Sequence, residues 1–60
     1  MRIKNAPPGY AEYHQRVVDA CCKLMGEEGR NFWDNECDYI DSFTEGIEPE
    51  EVAEIQREAL

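Results

Sequence analysis

The chain has 60 residues, of which 42% are hydrophobic and six are aromatic, and its formal net charge is −8. This composition is too apolar for a disordered acidic tail, and so short a chain cannot enclose a deep catalytic pocket and keep a core. Residues 1–30 hold five basic and four acidic side chains, whereas residues 31–60 hold one basic and ten acidic ones. This imbalance opposes direct binding to nucleic acid or to anionic membranes, and it favours a protein partner with a basic surface.

Residues 1–9 are predicted to be an N-terminal arm that ends in Pro7-Pro8-Gly9, because prolines disfavour helix before them. The arm has no apolar run of the kind found in signal peptides, and no stretch of the chain approaches the length of a membrane span. The cysteine count is three, and an odd number does not form a closed disulfide framework. A cytoplasmic location is therefore expected.

The first helix is predicted over residues 10–25. Asp19 and Lys23 lie four residues apart with the acid first, which predicts a helical ion pair on the exposed face. Gly26 is a typical residue for the end of such a helix. Apolar residues recur at helical spacing along one face, namely Tyr10, Tyr13, Val17, Cys21 and Leu24.

The second helix is predicted over residues 32–43, with Asn31 as its N-cap. A helical arrangement of this segment places its apolar residues in two adjacent rows and its acids on the opposite face. One row contains Trp33, Cys37 and Ile40, the other contains Phe32, Tyr39 and Phe43, and the acidic face contains Asp34, Asp38 and Asp41.

The third helix is predicted over residues 49–60. Pro49 suits the first helical position, and Glu50 and Glu51 suit the first turn, beside the positive end of the helix dipole. No segment shows sustained strand alternation. The predicted fold is all-α: a single small helical domain over residues 1–60, in which the first two helices form a hairpin and a short C-terminal helix follows.

The residue types offer two candidate metal sites, and neither is predicted. A zinc site would need His14 and the cysteines at positions 21, 22 and 37, but no two of these cysteines have the spacing of paired ligands. Residues 34–45 match the calcium-binding loop of the EF-hand family at its first, third, fifth and twelfth positions. However, Tyr39 occupies the position where that loop requires glycine. We therefore expect no metal and no cofactor.

No enzymatic activity is predicted either. His14 has no serine or cysteine partner at an interpretable spacing. Cys21 and Cys22 fall late in the first predicted helix, where the helix dipole opposes a thiolate.

An interaction surface is the remaining possibility. The two apolar rows of the second predicted helix cover more than one-sided burial explains, and aromatic residues are enriched in interface cores. We therefore predict a homodimer and a protein-interaction function. The alternative is an acidic mimic of nucleic acid that blocks a DNA- or RNA-binding protein. The candidate interaction residues are Phe32, Trp33, Tyr39, Phe43, Asp34, Asp38 and Asp41.

The opening MRIKNAPPGYAEYHQRV and the acidic finish EPEEVAEIQREAL together resemble the small accessory proteins encoded in the early regions of lambdoid temperate bacteriophages. This resemblance covers the full length and carries over no functional residue. It implies a helper protein of phage development that acts in the host cytoplasm by contacting a host protein.

Overall fold

The fold is all-α, as predicted, in a computed structural model that describes residues 7–59. Helix α1 spans Tyr10–Met25, α2 spans Ile40–Glu45 and α3 spans Pro49–Ala59. Between α1 and α2 lie a short 3₁₀ turn, Glu27–Gly29, and one turn of π-helix, Phe32–Glu36, which is called the π turn below. Residues 7–59 contain no strand. Residues 1–6 of the predicted arm and residue 60 at the end of the third predicted helix lie outside the described residues.

Helix α1 has the bounds that the sequence predicts. Gly9 and Gly26 flank it, and both have positive φ angles (85° and 112°) that favour glycine. The Gly26 N–H donates to the Cys22 carbonyl at 2.9 Å, which completes the last turn. The helix turns Tyr10, Val17 and Cys21 into the core, where each is at most 1% exposed.

Helix α3 begins at Pro49, also as predicted, and the Val52 N–H donates to the Glu48 carbonyl at 3.1 Å in its first turn. Val52 and Ala53 are fully buried. The contact between α1 and α3 is the largest between two elements. The main partner of α1 is therefore the short C-terminal helix, whereas the sequence led us to expect the second helix in that position.

The prediction of one continuous helix over residues 32–43 is wrong in its middle. The π turn ends at Glu36, Cys37 is extended (φ −121°, ψ 152°), and α2 starts only at Ile40. The predicted N-cap is also wrong, because Asn31 is itself helical and its side chain makes no capping hydrogen bond to the backbone. The Asn31 side chain instead accepts a hydrogen bond from the side-chain amide of Asn35 at 2.6 Å.

The physical reason for the break is that core side chains occupy the carbonyls that a continuous helix would need. The Trp33 carbonyl accepts a hydrogen bond from the Tyr39 hydroxyl at 2.9 Å. The Asp34 carbonyl accepts one from His14 Nε2–H at 3.0 Å. In an α-helix these two carbonyls would instead accept the N–H groups of residues 37 and 38.

Candidate functional site

The four aromatic residues predicted to form an interaction surface have different environments. Trp33 and Tyr39 belong to the core, where each is 5% exposed. Phe43 is half-buried and packs edge-on against the rings of Tyr10 and Tyr13, with centroids 5.6 and 5.1 Å apart. Only Phe32 stays open, at 50% exposure. Trp33 and Tyr39 are therefore core residues of the fold.

The three predicted acidic residues do not form one helix face, because the helix that would align them is broken. Asp34 lies in the π turn, and its carboxylate accepts a hydrogen bond from His14 Nε2–H at 3.1 Å. Asp38 precedes α2 and makes a long contact of 3.5 Å to the Ile40 N–H. Asp41 lies in the first turn of α2 and is exposed.

A buried polar network, which the sequence did not reveal, joins α1 to the segment between the π turn and α2. Tyr10 and His14 lie one helical turn apart on α1, and the Tyr10 hydroxyl lies 3.0 Å from His14 Nδ1. The same hydroxyl accepts the Tyr39 N–H at 2.6 Å. The one feature of the sequence that points to this network is the position of Tyr10 in the apolar stripe of the first helix, with His14 four residues later.

The partners in this network fix the histidine tautomer. Both Asp34 oxygens that face His14 Nε2 are acceptors, one a carbonyl and the other a carboxylate. Nε2 must therefore carry a hydrogen, and Nδ1 of the neutral ring accepts from the Tyr10 hydroxyl. No buried side-chain polar atom of the described residues lacks a partner, so the network is fully satisfied.

A hydroxyl, an imidazole and a carboxylate in series also form the arrangement of a nucleophilic relay. Here the hydroxyl belongs to Tyr10, which is 1% exposed and already accepts the Tyr39 N–H. Burial is the main cause that raises the pKa of Tyr10 above its usual value, which disfavours the nucleophilic phenolate. In this structure the network connects α1 to the π turn, and the hydroxyl at its head lies in the core.

The cysteines lie in or beside the core, and all three are free thiols. Cys21 is completely buried, and this burial raises its pKa to about 11. A thiol with so high a pKa is a poor nucleophile and a poor metal ligand at neutral pH. Residues 7–59 contain no group of three or more His, Cys, Asp or Glu side chains placed to hold a metal ion.

The most uniform feature of the surface is a set of exposed carboxylates on α2 and in the segments that flank it. No lysine or arginine lies between residues 38 and 48. Within residues 7–59, none of these carboxylates forms an ion pair. We call this set the acidic surface; it consists of Asp38, Asp41, Glu45 and Glu48.

The predicted ion pair between Asp19 and Lys23 is not formed. The Asp19 carboxylate instead accepts a hydrogen bond from Arg30 at 3.0 Å, and Arg30 also binds Glu27. This contact with Arg30 is the main cause that lowers the pKa of Asp19. Lys23 and Arg16 remain without an ion pair among the described residues.

Comparisons with known proteins identify no relative: no protein-family model, no curated protein and no solved structure matches the chain. None of the helices within residues 7–59 has the length and apolar character needed to cross a membrane.

Proposed function

We propose that this protein is a protein-interaction module whose acidic surface binds a basic surface of a partner protein. The observation that carries the proposal is the set of four exposed carboxylates that have no cationic partner within residues 7–59. None of them takes part in the buried network that joins α1 to the π turn. Apart from the long contact between Asp38 and the Ile40 N–H, these carboxylates make no hydrogen bond within residues 7–59.

A surface of this kind acts on its partner through long-range electrostatic attraction. Uncompensated charges of one sign steer a partner of the opposite sign, raise the association rate and suppress partners of like charge. The chain has a net charge of −8 and supplies a field of that kind. Because exposed charges are screened by salt, binding should weaken as the ionic strength rises.

The sequence resemblance to lambdoid phage accessory proteins implies that the proposed interaction takes place in a bacterial host. In that setting the partner is a bacterial host protein, and the module acts in the host cytoplasm. The acidic character of the chain then selects basic host proteins from among the candidates.

The second candidate function is the acidic mimic of nucleic acid. The observation that favours it is the run of acidic residues from Asp38 to Glu48, along which the sequence has no lysine or arginine. The two functions differ in the partner. A mimic occupies the nucleic-acid site of its partner, so a DNA or RNA duplex should compete with it.

The test compares two variants with equal changes of charge. Asp41→Asn/Glu45→Gln neutralises two acids one turn apart on α2, and Glu12→Gln/Glu28→Gln neutralises two exposed acids elsewhere. Each immobilised protein is incubated with a lysate of the bacterial host at low and at high salt, and retained proteins are identified by mass spectrometry.

We expect that a basic protein is retained by the wild type and by Glu12→Gln/Glu28→Gln at low salt, and is lost with Asp41→Asn/Glu45→Gln. Equal retention by both variants would refute a role for the acidic surface. Displacement of the retained protein by duplex DNA or RNA would assign the mimic function.

A further inference from the structure

One face of α1 carries Arg16 and Lys23, the two basic residues that form no ion pair within residues 7–59. Arg16, Ala20 and Lys23 follow one another at the spacing i, i+4, i+7, so they lie along one side of the helix. They line a surface depression of about 210 Å³, together with Asp19 and Glu50. We call this face the α1 strip: two cations with a small side chain between them.

One face of α3 has the complementary composition at the same spacing. Glu51, Ile55 and Glu58 also follow one another at i, i+4, i+7. Both glutamates are exposed, and neither forms an ion pair within residues 7–59. Ile55 is 47% exposed, which makes it one of three large hydrophobic residues left open among the described residues. We call this face the α3 strip.

We propose that the α3 strip of a second copy of this chain docks on the α1 strip. Ile55 would enter the depression above Ala20, and the two glutamates would reach Arg16 and Lys23. The outer residues of each strip are seven positions apart, about 10.5 Å along a helix, so both charge pairs form at once. Two complementary strips used reciprocally close into a two-fold dimer, the commonest oligomer.

Two acidic side chains at the depression, Asp19 and Glu50, also lie near the proposed contact. The Asp19 carboxylate already accepts hydrogen bonds from Arg30 and Gln15. Glu50 forms no ion pair within residues 7–59 and would compete for the same cations. Removing its charge in Glu50→Gln should therefore leave association unchanged or strengthen it.

Like net charges on the two copies oppose this association at long range. The repulsion between exposed charges is screened over about 8 Å at physiological salt, whereas the pairs in the contact are much closer together. The dimer is therefore expected at moderate salt. The inference is independent of the proposed function, because the strips share no residue with the acidic surface.

Sedimentation equilibrium over a range of concentrations tests the proposal. The wild type should dimerise in the micromolar range. The charge reversal Lys23→Glu and the change Ile55→Glu should each weaken association at least tenfold. Asp41→Asn/Glu45→Gln alters charges outside both strips and lowers the net repulsion, so it should dimerise at least as well as the wild type. Circular dichroism establishes that each variant remains helical.

Mixing variants separates a direct contact from an indirect effect. Lys23→Glu chains mixed with Glu51→Lys chains should form a mixed dimer if the two helices run antiparallel, because each reversed charge then meets its opposite. Mixing with Glu58→Lys chains should succeed instead if the helices run parallel. A monomeric wild type, a dimer that Lys23→Glu and Ile55→Glu leave unchanged, or a failure of both mixtures would overturn the proposal.

Discussion

Trp33 and Phe32 are neighbours in the chain with opposite environments. The Trp33 indole is buried at 5% exposure, whereas the Phe32 ring is 50% exposed and packs edge-on against it at 4.9 Å. Gly29 makes room for the indole, because a Cβ at that position would lie 2.8 Å from the Trp33 Nε1 atom. The two residues therefore form a matched pair for separating the core from the surface.

We predict that Trp33→Ala unfolds the protein and that Phe32→Ala does not. Truncating a buried tryptophan typically costs about 3–5 kcal/mol, which is comparable with the whole stability of a small domain. An exposed ring contributes far less, within about 0.5 kcal/mol for most surface changes. Thermal unfolding followed by circular dichroism checks both variants, and a cooperatively folded Trp33→Ala protein would contradict this account of the core.

At the scale of elements, what the sequence predicts depends on where the deciding contacts lie. The bounds of α1 and the start of α3 follow from local signals, namely apolar periodicity, Gly26 and Pro49. The break between the π turn and α2 depends on His14 and Tyr10, which lie 20 and 29 positions from their partners. No local pattern encodes those contacts, so periodicity alone predicted one continuous helix.

The burial of the candidate interaction residues also depends on contacts that are distant in the sequence. Phe32 and Trp33 are both large, aromatic and adjacent, and only the packing of the π turn against α1 decides which of them is buried. The negative charge of the second half is visible in the sequence, and the exposed acidic surface follows from it. The partner of Asp19 was not predictable, because Arg30 reaches it from beyond the end of α1.

We predict that Tyr10→Phe loosens the segment between the π turn and α2. The change removes the hydroxyl that accepts the Tyr39 N–H and donates to His14. Leaving a buried polar group without a partner costs about 1–3 kcal/mol. Amide hydrogen exchange should show faster exchange at Tyr39 in this variant, together with a lower midpoint of unfolding.

Tyr13→Phe is the matched control for that experiment. The Tyr13 hydroxyl donates to the Ile47 carbonyl at 2.5 Å, so it anchors the loop before α3 and is not the hydrogen-bond partner of the Tyr39 N–H. Its loss should leave the exchange of the Tyr39 amide in step with global stability alone. Equal acceleration at Tyr39 in both variants would show that the Tyr10 contact does not hold this segment.

For the molecule as a whole, the buried hydroxyls and thiol make stability dependent on alkaline pH. Burial is the main cause that raises the pKa values of Tyr10 and Tyr39 above the ordinary value of tyrosine, and it raises the pKa of Cys21 to about 11. In the folded protein these groups stay protonated at pH values where the unfolded chain releases their protons. Below the unfolded pKa values the stabilisation is fully present, and it is lost as the pH rises through the window between the unfolded and folded values.

We therefore predict a stability plateau at neutral pH and a loss that begins near pH 9, where the Cys21 thiol ionises in the unfolded chain. The loss becomes steep above about pH 10, where unfolded tyrosine also ionises. Each proton that is released only on unfolding lowers the free energy of unfolding by about 1.4 kcal/mol per pH unit. Urea denaturation at a series of pH values measures this slope, and tyrosinate absorbance reports ionisation directly. Tyr39→Phe removes one of the groups and should reduce the slope, although it also removes the hydrogen bond to the Trp33 carbonyl. A stability that stays flat through pH values above about 10 would mean that these hydroxyls are not buried in solution.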